Sequence, residues 1–146
     1  MNTAKDVAWT LCTLDEGDAA DAAALVAGEY WNVGVARDRL ERAMRGSTAL
    51  VGARDRDGRL IATARALSDG ARAAWVGDVC VAADWRGVGV GQAVVRSLLE
   101  HTTVRDADRV RLNTRDAQAL YARLGFVETL KQSARLLSTE MVLRRR

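Results

Sequence analysis

The sequence predicts a mixed α/β domain around a mainly antiparallel sheet of about seven strands, flanked by about four helices. Three observations lead there. Asp57-Gly58 is a hairpin signal between two apolar, strand-like runs. Two segments with helical periodicity precede that hairpin. Behind it, Gly87, Gly89 and Gly91 stand at alternate positions and open another apolar-periodic run.

After an initial strand, "DEGDAADAAALVAGEYW" reads as a helix starting near Asp18, whose carboxylate is placed to cap it. "ARDRLERAMRG" is a second helix with Leu40 and Met44 on one face and Gly46 as its stop. The intervening "GEYWNVG" is a glycine-bracketed loop with two aromatics. "STALVGARD" turns at "RDGR" into "LIATARAL", and "SDG" turns that strand into "AAWVGDVCVAA". The glycine stretch begins a third helix, with Val94, Val95, Leu98 and Leu99 on its apolar face. "RVRLNT" alternates as a strand, and "DAQALYARLG" is a short fourth helix ended by Gly125. "FVETL" and "TEMVLR" close the chain as two weaker strands.

At 146 residues, 49% hydrophobic and 28% charged, the chain is sized for one globular domain spanning 1–146. The net charge of +3 is mild and includes the terminal "RRR". No basic run is interleaved with aromatics, so a phosphate-bearing small ligand explains the excess better than nucleic acid does. Two cysteines and one histidine make neither a disulfide framework nor a zinc site, and no metal is expected. No apolar run approaches the ~18 residues of a membrane span, and the first residues do not read as a signal peptide. The expectation is a soluble, cytoplasmic protein.

Glycine lowers helix stability by about 1 kcal/mol relative to alanine, so three of them at a helix mouth serve either a tight turn or a closely approaching ligand. The usual ligand there is phosphate. A dinucleotide fingerprint would need glycine where Gln92 stands, and a P-loop would need a lysine that does not follow.

What does fit is R-x-x-G-x-G, formed by Arg86, Gly89 and Gly91. Together with "GDVCVAADWRG" ahead of it and "DAQALYARLGF" behind it, this resembles the GNAT superfamily of acyl-CoA-dependent N-acetyltransferases. The likeness extends over nearly the whole order of elements. It is closest to a branch with "YW" after the first helix, an "ARAL" third strand, a "GDV" fourth strand and a "TRDA…LY" helix, all present here. Gln118 stands where that branch often has histidine.

The resemblance implies a GNAT fold and an N-acetyltransferase that moves acetyl from acetyl-CoA to a primary amine by direct attack in a ternary complex. It is compatible with a homodimer. Arg86 and the backbone N–H groups of Gly87, Val88, Gly89, Val90, Gly91 and Gln92 would bind the pyrophosphate, and Val79, Cys80 and Val81 would hold the pantetheine along a strand edge. Cys80 reads as a packing residue and not as a nucleophile. Tyr121 is the candidate acid for the leaving thiolate; helical periodicity alone would make it a core aromatic. In a regular strand Asp78 shares a face with Val76 and Cys80. It is the candidate base, with two alternatives: it binds the ammonium, or it pairs with an arginine such as Arg65 and does no chemistry. Tyr30, Trp31 and Trp75 form either a wall for a cationic amine or a plain hydrophobic lid. Two other functions compete with the enzyme: a non-catalytic acyl-CoA sensor of the same fold, and a basic module binding nucleic acid or a partner.

Overall fold

The computed structural model describes residues 8–129 and 141–145. Strand β1 (Trp9–Thr13) is followed by helices α1 (Ala19–Val26) and α2 (Arg37–Arg45). Strands β2 (Ala49–Asp55), β3 (Leu60–Ser68) and β4 (Ala73–Val81) come next, then helix α3 (Val90–Glu100) and strand β5 (Arg109–Arg111). Helix α4 (Gln118–Arg123) comes last among the described elements. The chain divides after Asn113 into two compact units, and α4 belongs to the second.

In the first unit the strands are ordered β1-β2-β3-β4-β5; the first four form an antiparallel meander and β5 joins β4 in parallel. The turns follow from local chemistry. Gly58 takes φ +82°, and the Asp55 carboxylate accepts from the N–H groups of Asp57 and Arg59. At the next turn the Asp69 carboxylate accepts from three successive N–H groups, Ala71, Arg72 and Ala73. These bonds hold it below the usual carboxylate range.

The sheet has a core on each face. Val90, Val94 and Leu98 of α3 pack with Val51, Ala62, Ala64, Ala74 and Val76 on one side. Ala19, Ala22 and Val26 of α1 and Leu40 and Met44 of α2 pack with Leu50, Leu60 and Cys80 on the other. Alanines occupy much of the β2 and β3 surface, which lets the helices approach the sheet closely.

Several sequence expectations change. The described sheet has five strands instead of about seven. Phe126–Glu128 and Met141–Arg145 are irregular, and the rest of the two expected closing strands lies outside the described residues. The strand expected at Arg109–Thr114 stops at Arg111. Asp18 does not cap α1 with its side chain. Asp15 caps the preceding turn instead, and Asp18 closes that capping box and pairs with Arg54.

The largest departure is in β4. Thr63 faces Cys80 and Arg65 faces Gly77, so Ala64 alone stands opposite both Asp78 and Val79. This is a β-bulge, and Asp78 adopts φ +49° within it. The extra residue reverses the strand's alternation: Ala74 and Val76 face α3, whereas Cys80 packs against α1 and α2. Val76 and Cys80 therefore do not share a face as a regular strand would require.

A close backbone approach governs Gly52 of β2. A Cβ there would lie 2.6 Å from the Ala62 carbonyl oxygen and 2.9 Å from Leu60 Cδ1. The oxygen cannot yield without opening the β2–β3 ladder. Gly52→Ala is expected to lose about 1–3 kcal/mol, whereas Gly28→Ala, with open space around it, changes stability little. Urea unfolding of the two variants checks this.

Candidate active site

Strand β4 pairs with β5 only where Ala73–Trp75 meet Arg109–Arg111. From Val76 to Val81 its edge on that side has no strand partner among the described residues. Ala82 N–H donates to the Ile61 carbonyl at 2.7 Å. By the alternation of an antiparallel ladder, the N–H and C=O groups of Val79 and Val81 then turn away from β3 toward the bare edge. One of these groups is engaged: Arg86 Nε donates to the Val81 carbonyl at 3.0 Å.

The bare edge runs into the glycine loop. A short turn at Ala83–Trp85 leads to Arg86, then Gly87 at φ +80° and Gly89 at φ +91°, which is the N-cap of α3. Both glycines answer a left-handed backbone requirement, and a Cβ on either would meet no heavy atom within 4 Å. The space outside the loop is open. Gly91 lies inside the first turn of α3, where the N–H groups of Val90, Gly91 and Gln92 have no intrahelical acceptor. Bare donors, a helix N-terminus and close backbone access together suit an anionic ligand.

On the face opposite α3, Asp78 gathers a polar cluster. Its Oδ1 accepts from Trp31 Nε1 at 2.8 Å and Asn32 Nδ2 at 3.2 Å, and its Oδ2 accepts from Arg65 Nε at 2.7 Å. Burial pushes the Asp78 pKa up, but the bonds from Arg65, Trp31 and Asn32 outweigh it and hold the carboxyl below its ordinary range. Arg65 also points Nη1 at Ser47 Oγ, 3.5 Å away, and its guanidinium carbon sits 5.2 Å from the Trp75 ring centroid. The Trp75 indole folds over Gly77, where a Cβ would come within 2.2 Å of the ring. Tyr30 meets Trp31 edge to face at 5.0 Å. The three aromatics remain partly open to solvent.

A second cluster joins the glycine loop to the α1–α2 connection. Glu29 Oε1 accepts from Arg86 Nη2 at 3.0 Å and from the Cys80 thiol at 3.1 Å. Burial first, and then Glu29, push the Cys80 thiol up to about 12, so it stays protonated at neutral pH. In the second unit, Tyr121 is buried on α4 and meets Phe126 at 5.8 Å between ring centroids. Burial raises its pKa.

The acetyltransferase (GNAT) family model matches residues 18–126. The chain belongs to the GNAT family of acetyltransferases. Solved structures agree. A candidate acetyltransferase assigned to the GNAT family from Xanthomonas campestris pv. campestris is 31% identical, with a TM-score of 0.73, over 92% of this chain and 93% of that one. A candidate acetyltransferase from Deinococcus radiodurans R1 is 28% identical, with a TM-score of 0.71, over 99% and 94%. Glucosamine-6-phosphate N-acetyltransferase from Arabidopsis thaliana is 16% identical, with a TM-score of 0.67, over 94% and 99%, which shows the fold alone. No curated protein matches the chain.

Within this GNAT chain the structure brings Asp78, Trp31 and Trp75 into one cluster through Arg65, with Tyr30 edge to face against Trp31 at its rim. Asn32, Ser47 and Glu29 belong to the same surroundings and were not singled out from sequence. A hint was available for two of them, because "EYWN" brackets the aromatic pair with polar residues. Among the described residues no group of His, Cys, Asp and Glu is arranged to hold a metal ion, and no helix is long and apolar enough to cross a membrane.

The Arg65–Asp78 pair is largely buried, with side chains 13% and 8% exposed. Asp78→Asn leaves the arginine without its counter-charge, a change that costs about 3–5 kcal/mol when a buried pair is broken. The Asp78 pKa is depressed on folding, so its contribution is complete above the unfolded value of about 4 and disappears as pH falls through the folded value. The stability gap between wild type and Asp78→Asn should therefore persist at neutral pH and narrow in strong acid. Denaturant titrations across that range measure it.

Proposed function

We propose that this chain moves an acetyl group from acetyl-CoA to the primary amine of a small molecule or peptide, by direct attack in a ternary complex. One observation carries the reading: the bare edge at Val79–Val81 leads directly into the open glycine loop. An extended pantetheine with two amides suits such an edge, and a pyrophosphate suits the N–H groups ahead of α3. Bound acetyl-CoA supplies the activated thioester.

The chain's own residues would do the rest. Val79 N–H, turned toward the bare edge, donates to the developing oxyanion. Gly87, Gly89 and the first turn of α3 fix the phosphates. Tyr121 donates a proton to the departing thiolate, and its raised pKa keeps that proton in place at neutral pH. Cys80 stays a neutral thiol and makes no acyl-enzyme. Asp78 acts as a positioning residue, holding Trp31, Asn32 and Arg65 on the acceptor side of the sheet. The exposed indoles of Trp31 and Trp75 offer flat apolar surface to the acceptor.

Acetyl-CoA should raise the melting temperature, since a ligand at ~100 times its Kd adds about 2.7 kcal/mol to the folded state. Gly89→Val, which strains the backbone at φ +91° and fills the cradle, should remove that shift while the fold persists. Thiol release should depend on an amine from a panel of spermidine, kanamycin, alanine and an alanyl peptide. A thermal shift without amine-dependent thiol release would make the protein a sensor.

Tyr121→Phe keeps the ring and removes the proton. Turnover should fall at least ~10-fold, within the range of positioned acid catalysis, with little change in stability or acetyl-CoA affinity. Wild-type turnover in this variant would return Tyr121 to the core.

A further inference from the structure

We infer that Glu29, and not the carboxylate on β4, is the general base that takes the acceptor's ammonium proton. This rests on the acetyltransferase reading above and goes beyond it by assigning the proton. Asp78 is poorly suited to the task. Both of its oxygens are already engaged by Arg65, Trp31 and Asn32, and protonation would strip the counter-charge from a largely buried arginine.

Glu29 lies beside the same stretch of β4 and is less encumbered. Oε1 carries both of its bonds, from Arg86 and Cys80, and among the described residues nothing bonds to Oε2. The side chain is 19% exposed, so water and an amine can reach it. Its position is set by the strand that would carry the thioester. Arg86 donates to the Val81 carbonyl with Nε and to Glu29 with Nη2, while the Cys80 thiol holds Glu29 from the strand itself. One guanidinium thus ties the glycine loop, the bare edge and the carboxylate together. Among the described residues the charged and titratable groups bonded to Glu29 are Arg86 and Cys80, and Asp78 acts on the same thiol from further along β4.

The proton count closes. R–NH3+ gives one proton to Glu29, directly or through one water, and the free amine forms the new C–N bond. The C–S bond breaks as the tetrahedral intermediate collapses, and the acid protonates the departing thiolate. The second proton on nitrogen replaces the one the acid gave up. Glu29 releases its proton to solvent, so the products are an amide, a thiol and one H+.

The test uses Glu29→Gln, Glu29→Asp and Arg86→Gln in the full chain, with the fastest acceptor from the panel above. Glu29→Gln should keep the acetyl-CoA thermal shift, lose at least ~10-fold in turnover at neutral pH and lose the acidic limb of the pH profile. Its deficit should narrow as pH approaches the acceptor's own pKa, where free amine no longer needs a base. Glu29→Asp should retain the limb at a reduced rate. Arg86→Gln removes the guanidinium that holds Glu29 against the strand and should lower turnover in the same sense. A wild-type profile in Glu29→Gln, or a loss equal at every pH, would overturn the assignment. So would disappearance of the thermal shift in that variant, because Glu29 would then only support the loop. Failure of the wild-type protein to bind acetyl-CoA or release thiol is a different result and sinks the acetyltransferase reading itself.

Discussion

Asp78 and Val79 of β4 face a single residue of β3, Ala64, and Asp78 takes a left-handed backbone conformation to accommodate the extra residue. Such a conformation costs about 1–3 kcal/mol for a residue other than glycine. The Asp78 carboxylate offsets that cost. It accepts three hydrogen bonds, one of them from a buried guanidinium, and bonds to a charged group contribute about 1.5–3 kcal/mol each. The bulge and the ion pair therefore sustain each other: the bulge aims the carboxylate at Arg65, and the carboxylate holds the bulge.

The rest of the site follows from that arrangement. Reversing the alternation sends Cys80 toward α1 and α2, where it meets Glu29, and leaves Val79 and Val81 packing toward α3. Strand β5 is only three residues long and pairs no further than Trp75. Beyond that point β4 has no strand partner on this side among the described residues, just before the chain turns into the glycine loop. A strand edge and a helix N-terminus close together in sequence leave several backbone groups open, with the Val81 carbonyl already taken by Arg86, and open backbone groups are costly unless water or a ligand satisfies them.

The face opposite α3 has a different character. Its charged groups engage one another: Arg65 lies over Trp75 and pairs with Asp78, and Asp78 fixes Trp31. Gly77 makes this packing feasible, since any Cβ there would collide with the Trp75 ring. The cation over that ring belongs to the protein itself. The aromatics consequently serve as a rim around an internal ion pair, with their indole edges left in solvent.

Much of this was legible in the chain. Asp57-Gly58 announced its hairpin, Leu40 and Met44 announced the buried face of α2, and Arg86, Gly89 and Gly91 announced the loop ahead of α3, because each signal is local and rests on backbone geometry that a few neighbouring residues dictate. The family was legible for the same reason. The bulge was not. A regular strand put Asp78 beside Val76 and Cys80, and nothing within "GDVCV" states that one residue too many faces Ala64. The caps at Asp15 and Asp18 were similarly interchanged, since the choice depends on Arg54 reaching across from β2. The roles of Glu29, Asn32 and Ser47 were not legible because their partners, Arg86, Asp78 and Arg65, lie far away in sequence. The sequence by itself determined the elements, the loop chemistry and the family; only the tertiary structure decided which carboxylate is saturated and which stands open. Hydrogen-bond partners drawn from separate strands and loops are set by strand register, and register is a property of the assembled sheet.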